Sequence, residues 1–319
     1  MLRHKVDIEG FERVLLVHNH NSGKQTFFSG IHSNVESIAR QLMRMYGAER
    51  FQYVKVGTFA ETQAVGKKIC AEKIQWVIVA GGDGTLRALV EECVDQDYWP
   101  YVSIYPAGTV NLVAKELMQK TDVHNWMYRV SKGVTTPVCL GRANDRIFLT
   151  VAGIGVDSMV VQQVTPKEKK YLSTLAYVRQ SGRVLGNEML LHNWKYRFQV
   201  MINGDGVWHQ ASSVIVTKSR YYAGRFSLVN GGSLSNPTMH VCLFTKGRCV
   251  DFLRYTALIA ADMLTLDKSV EIYPAQQVDI RCNVSKFAAE LDGDAVVTSP
   301  LSIALLPKPL EFISCEAVL

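Results

Sequence analysis

Paired cysteines are missing from this sequence. Its seven Cys, an odd number, stand singly at 70, 93, 139, 242, 249, 282 and 315, with no C-x-x-C pair among them. They read as buried free thiols of a reducing compartment and not as a disulfide framework. A long hydrophobic run is missing too. The longest apolar helical stretch, Tyr255 to Leu266, is interrupted by Asp262 and falls short of the about 20 residues that a spanning helix needs. Met1 to Gly10 is polar and charged, unlike a signal peptide, so the expected location is cytoplasmic. No Lys/Arg run is dense enough for a nucleic-acid arm, and neither repeats nor low-complexity segments occur. What is present is ordinary for a globular chain: 319 residues, 48% hydrophobic, 20% charged, enough for two domains at roughly 100–200 residues each. A net charge of +6 and a pI near 8.9 admit an anionic membrane or a phosphorylated ligand and require neither.

Hydrophobic periodicity divides the chain at about residue 132. Before it, apolar runs alternate with amphipathic patterns. Strands are predicted over 13–18, 51–56, 76–80 and 101–105, and helices over 29–46, 58–71, 85–94 and 110–118. Such βα alternation predicts a parallel sheet covered on both faces, a Rossmann-like α/β domain. After residue 132 short strands predominate: 134–140, 146–152, 195–202, 213–218, 239–244, 270–273, 278–282, 287–291 and 301–306. Turn signals separate them, and helical patterns interrupt at 166–185 and 248–264. This half reads as an antiparallel sandwich or barrel, all-β in class.

Three glycine-bearing loops follow strands of the first half. The sharpest is Gly81-Gly82-Asp83-Gly84-Thr85, between a strand and a helix. Its glycines allow close backbone approach to a ligand, and the helix start behind it favours phosphate. An acid inside an anion site suggests a mediating cation, so Asp83 is a natural partner for Mg²⁺ or for a substrate hydroxyl. Asn19-His20-Asn21-Ser22-Gly23-Lys24 follows the first strand; with His18 and Gln25 at the outer positions it is not a Walker A loop. Pro106-Ala107-Gly108-Thr109-Val110-Asn111 follows the fourth strand. Loops at the carboxyl ends of neighbouring parallel strands converge on one crevice.

These segments resemble the diacylglycerol kinase catalytic-domain family, whose relatives include sphingosine and ceramide kinases and soluble bacterial lipid kinases. Gly81–Leu86 is similar to its G-G-D-G-T-L, Asn19-x-Asn21-Ser22-Gly23 to N-P-x-S-G, and Pro106-Ala107-Gly108-Thr109-x-Asn111 to P-x-G-T-x-N. Gly153–Asp157 is similar to G-x-G-F-D, Tyr221–Gly224 to Y-Y-G-G, and Leu291–Asp294 to L-D-G-E. The matches run in family order from about residue 13 to residue 300. The resemblance implies a transferase: a nucleotide-binding α/β domain over 1–132, to which a tail from about 305 to 319 returns, and a β-sandwich lipid domain over 133–304, with the active site in the cleft between them. It implies ATP and Mg²⁺ as cofactors, with nucleotide contacts from Asn19, Ser22, Gly23, Lys24, Thr58, Gly81, Gly82, Gly84, Thr85, Thr109 and Asn111. Asp294 matches the family's general base, and Asp83 is the second catalytic acid. Ser233, Asn236 and Thr238 stand where many members bind a structural Mg²⁺.

Departures from the family pattern are local. Arg87 and Ala88 replace Asn and Glu, Leu112 replaces Asp, and His20 replaces Pro. Asn236 replaces the metal-binding Asp, and Asp294 is one methylene shorter than Glu. The function implied is in-line transfer of the γ-phosphate of ATP onto a lipid hydroxyl, of diacylglycerol or a related glycerolipid or sphingolipid. An NAD-kinase-like enzyme and a lipid- or nucleotide-binding pseudokinase remain as alternatives. Lys167, Lys169, Lys170, Arg179 and Arg183 beside Tyr171 and Leu172 suggest a basic amphipathic helix on an anionic leaflet. The partners expected are thus a lipid substrate, an anionic membrane touched peripherally and, as an option, a second copy in a homodimer; nucleic acid is not expected.

Overall fold

Apolar runs without polar alternation become central strands. In a computed structural model the described residues are 4–22, 30–119, 121–155, 198–283, 287–298 and 300–313. They fall into two units, Met1–Cys139 with Lys308–Leu319, and Leu140–Pro307. In the first unit, β1 (Val14–Asn19), β2 (Phe51–Val56), β3 (Trp76–Gly81) and β4 (Tyr101–Pro106) pair in parallel in the order β2-β1-β3-β4. Val14 to Val17 and all of β3 are buried, as a sheet covered on both faces requires. The covering helices are α1 (Ile31–Arg50), α2 (Phe59–Ala71), α3 (Asp83–Asp95), the short α4 (Leu112–Glu116) and α5 (Val123–Ser131). Regular helical dihedrals in α1 stop at Gly47, φ 73°. Thr58 and Glu61 form a capping box on α2, and Asp122 caps α5 by accepting from the Asn125 N–H at 2.6 Å.

Two further strands complete this sheet, β5 (Thr135–Val138) and β18 (Leu310–Ile313). β18 lies between β4 and β5, parallel to the former and antiparallel to the latter. The first unit thus takes in the strand that the sequence pattern groups with the second half. The reason is long-range: β5 has no neighbour until β18 arrives from the far end of the chain. A buried polar chain fixes the join, with Trp76 Nε1 donating to Ser103 Oγ at 3.0 Å and Ser103 Oγ donating to the Ile313 carbonyl at 2.9 Å.

The second unit holds two six-stranded antiparallel sheets. One runs β10 (His209–Ala211), β9 (Phe198–Ile202), β14 (Gln277–Cys282), β17 (Leu301–Leu305), β6 (Gly141–Ala143), β7 (Arg146–Phe148). The other runs β13 (Val270–Ala275), β12 (Met239–Phe244), β11 (Ser213–Thr217), β8 (Val151–Ile154), β15 (Phe287–Leu291), β16 (Asp294–Thr298). Phe148, Phe198, Val200 and Ile280 of the first sheet pack on Val214, Val241, Ala289 and Leu291 of the second, which makes the unit a sandwich. The outer face of the second sheet is covered by α6 (Cys249–Ala260), through Phe252 and Tyr255 against Phe244 and Val270. The fold class is therefore α/β plus all-β, a Rossmann-like domain and a β-sandwich. The predicted helix over 166–185 and its basic residues lie outside the described residues. Among the described residues no helix is long and apolar enough to cross a membrane.

Candidate functional site

Four loops at the carboxyl ends of β1 to β4 are tied together. Asn19, the last residue of β1, donates from Nδ2 to Thr85 Oγ1 at 2.8 Å, joining the first loop to the start of α3. The Asn21 N–H donates to Asn19 Oδ1 at 3.0 Å, and Asn21 Nδ2 donates to the Gly57 carbonyl at 2.7 Å, joining it to the end of β2. Ser22 closes this turn, its N–H on the Asn19 carbonyl at 3.1 Å. At the end of β2, Glu61 accepts from the N–H groups of Gly57 at 2.6 Å and Thr58 at 3.1 Å. Those two bonds hold its carboxyl below the usual range. Thr58 Oγ1 accepts from the Glu61 N–H, so its place in the loop is set by the α2 cap. Gly23 and Lys24 lie outside the described residues.

The loops after β3 and β4 meet backbone to backbone. A Cβ on Gly108 would fall 2.5 Å from Gly82 Cα and 2.6 Å from Asn111 Oδ1, so no side chain fits there. A Cβ on Gly81 would fall 3.0 Å from Thr85. Asn111 adopts the left-handed conformation, φ 53° and ψ 54°, and closes its loop on Gly108 twice, Oδ1 accepting from the N–H at 3.0 Å and Nδ2 donating to the carbonyl at 2.7 Å. That conformation cannot continue into a helix, so the helix predicted over 110–118 starts only at Leu112. Thr109 stands exposed at the tip. Gly84 differs from Gly81, Gly82 and Gly108: a Cβ there would meet nothing within 4 Å.

Asp83 is the first residue of α3, yet its carboxylate serves α4. Oδ2 accepts from the Leu112 N–H at 2.7 Å and Oδ1 from the Val113 N–H at 3.2 Å. Burial lowers the Lys115 ammonium from its ordinary value, against the opposing pull of Asp83. Among the described residues no group of three or more His, Cys, Asp or Glu is placed to hold a metal ion. A lone carboxylate suits Mg²⁺ that arrives with a nucleotide and takes most of its ligands from phosphate and water.

Beneath the first loop lies a group that no sequence pattern announced. Buried His18 bonds through Nδ1 to Tyr53 OH at 2.7 Å and through Nε2 to His32 Nδ1 at 2.9 Å. Burial, with His32 and Lys55 beside it, lowers its pKa to about 4. Residues 18, 32 and 53 come from β1, α1 and β2, so only the paired strands bring them together.

In the second unit, Asp292-Gly293 makes a two-residue hairpin turn with both residues left-handed, φ 51° and 86°. The Asp292 carboxylate accepts from the N–H groups of Leu149 at 2.7 Å, Thr150 at 2.8 Å and Val151 at 3.2 Å. This divides the strand predicted over 146–152 into β7 and β8. Asp294 opens β16 opposite Leu291, half-buried. Behind it the Gly293 N–H donates to buried Glu290 Oε2 at 2.6 Å.

The structural Mg²⁺ expected near Ser233, Asn236 and Thr238 does not fit what is there. Fully buried Lys218 sends its ammonium to the Asn236 carbonyl at 2.9 Å and the Thr238 carbonyl at 3.5 Å. Ser233 Oγ is used within its own turn, accepting from the Ser235 N–H at 3.3 Å. A side-chain cation occupies the position, and a second cation beside it would be repelled.

Comparison with known proteins follows the same lines. Residues 13–143 match the model of the diacylglycerol kinase catalytic domain. The chain is 24% identical over 285 residues to a diacylglycerol kinase of Bacillus subtilis, covering 89% of this chain and 90% of that protein. It is 25% identical over 283 residues to one of Staphylococcus aureus strain Newman, covering 89% and 86%. A crystal structure of a diacylglycerol kinase from Bacillus anthracis superposes with a TM-score of 0.72 at 18% identity, over 97% of this chain and 99% of that one. A second structure from that organism gives 0.79 at 21%, over 99% and 98%. At such identities the structural likeness is one of fold. Residues 13–143, which hold the glycine loops, thus match the diacylglycerol kinase catalytic domain, and the chain as a whole resembles diacylglycerol kinases in sequence and in fold.

Proposed function

We propose that the chain is an ATP-dependent lipid kinase, moving the γ-phosphate of ATP onto the hydroxyl of diacylglycerol or a related glycerolipid or sphingolipid. The observation that carries this reading is the bare helix start at Gly84, beside the close Gly82–Gly108 contact and framed by Asn19, Thr85 and Asn111. Backbone N–H groups at a helix start, with no side chain over them, suit the phosphates of a nucleotide. Thr58 and Thr109 supply hydroxyls at the ends of β2 and β4. Asp83 fixes the start of α4 against that of α3, so the two phosphate-facing loops keep one spacing. Mg²⁺, when bound with the nucleotide, neutralises charge on the phosphates. Asp294 is assigned the proton of the acceptor hydroxyl, as its place in Leu291–Asp294 suggests.

Phosphate transfer from labelled ATP with Mg²⁺ onto lipids in mixed micelles tests the reading. Label is expected in one lipid class and is expected to fall at least 100-fold in Asp83→Asn and in Asp294→Asn, with ATP binding kept in the latter. An Asp83→Asn enzyme of near wild-type rate contradicts the role of that carboxylate. ATP binding without transfer to any lipid contradicts the activity.

A further inference from the structure

The outer side of α6 is apolar. Val250, Leu253, Ala257 and Ala260 recur at the spacing of one helix face, and all four are exposed. Met263 and Leu266, in the turn that follows, continue the stripe. Val250 is 59% exposed, Leu253 52%, Met263 46% and Leu266 68%. From Tyr255 to Ala261 there is no charged residue. A surface helix packed on one face ordinarily carries charge on the other, and clustered apolar exposure marks a surface that meets something.

The charges around this stripe are sorted by sign. Two acids turn inward. Asp251, fully buried, accepts from Arg248 Nε at 3.1 Å and Arg254 Nη1 at 3.3 Å. Asp267 accepts from Arg254 Nε at 2.7 Å and from Ser269 Oγ at 2.6 Å. Asp262, at the end of α6, is engaged by the Ser227 N–H at 3.1 Å. Lys246, Arg248 and Lys268 stay outside. A cavity of about 520 Å³ opens beside them, lined by Lys246, Arg254, Leu258, Leu266 and Lys268 among others. Cationic groups at the rim of an apolar stripe match the acyl boundary and the phosphates of an anionic bilayer. A second copy fits poorly, because a two-fold pairing would set the same basic rim against itself.

We propose that α6 and the turn over 263–268 form a docking face for an anionic lipid bilayer. Val250, Leu253, Met263 and Leu266 enter the acyl boundary, and Lys246, Arg248 and Lys268 meet the headgroups. The proposal goes beyond the kinase reading and rests on surface chemistry in the second unit alone.

The test uses the full chain and sedimentation with vesicles of phosphatidylcholine, with and without one quarter phosphatidylglycerol. Wild-type protein is expected to bind the anionic vesicles and to release as salt rises. Leu253→Gln with Leu266→Gln should cut partitioning at least tenfold at an unchanged melting temperature, and Lys246→Glu with Lys268→Glu should cut it likewise and flatten the salt dependence. Failure of the wild type to bind, or unchanged binding in the Gln pair, overturns the proposal. So does a wild-type dimer in sedimentation velocity that the Gln pair splits, since the face would then be a homodimer interface. Turnover separates this from the kinase reading. The Gln pair should lose activity at least tenfold on vesicle-borne diacylglycerol and keep it within twofold on monomeric dihexanoylglycerol. A wild type inactive on both acceptors removes the kinase reading and leaves vesicle binding to decide the docking face.

Discussion

Gly84 owes its identity to nothing in the fold. It is exposed, its φ is outside the left-handed region, and a Cβ would meet no atom. In a helix, glycine in place of alanine costs about 1 kcal/mol. Gly84→Ala should therefore leave the melting temperature unchanged or raise it, while weakening nucleotide binding at least tenfold by titration calorimetry. Undiminished affinity would show that no ligand approaches there. His18 makes the opposite case, a residue explained by packing. Its native pKa of about 4 lies below the ordinary histidine value of 6.5, so the unfolded chain takes up a proton across that window and the native one does not. Stability from this group is complete above about pH 6.5 and is lost as pH falls toward 4. Between pH 7 and pH 5 the loss should be about 2 kcal/mol. Urea unfolding of wild type and His18→Gln at both values measures it, and equal slopes with pH would contradict it. Local glycine spacing made the first residue legible in the sequence. The second depends on partners 14 and 35 positions away, which no local pattern encodes.

Elements whose signals are local are legible in the sequence. β2, β12 and β15 keep their predicted bounds, and α2 begins behind its Thr58 cap. Elements shaped by distant side chains are not. α4 is cut short by Asn111, and the strand over 146–152 is broken by Asp292, more than 140 positions away. The loop around Asn236 belongs with these, because the cation that fills it comes from the end of β11. Lys218→Met should remove the ammonium and leave buried carbonyls unsatisfied, costing about 3 kcal/mol in denaturant unfolding. The melting temperature of the wild type should not respond to EDTA or to added Mg²⁺ in the absence of nucleotide. A rise with Mg²⁺ would mean that a metal is still bound there.

At the scale of the whole molecule, the change of texture near residue 132 was visible, but the return of the chain end to the first sheet was not visible in periodicity. β18 has four residues, too few for a pattern, and its partner strands lie more than 170 positions earlier. Leu310, Phe312 and Ile313 are nonetheless buried to 1% or less. Three such side chains contribute on the order of 5–9 kcal/mol, comparable with the whole stability of a domain. Deletion of residues 308–319 should unfold the first unit and spare the second. Hydrogen exchange would show β1, β3 and β4 unprotected while β11 and β12 keep their protection, and full protection of β4 in the shortened chain would contradict this. The position of β18 also bears on synthesis. Domains ordinarily fold from the amino end as they leave the ribosome. Here the first unit departs from that rule, because its sheet, which carries the glycine loops, is not complete until residues 310–313 have been made. An unfinished polypeptide therefore lacks one strand of the first sheet, and the loops after β1 to β4 gain their full support only at the end of synthesis.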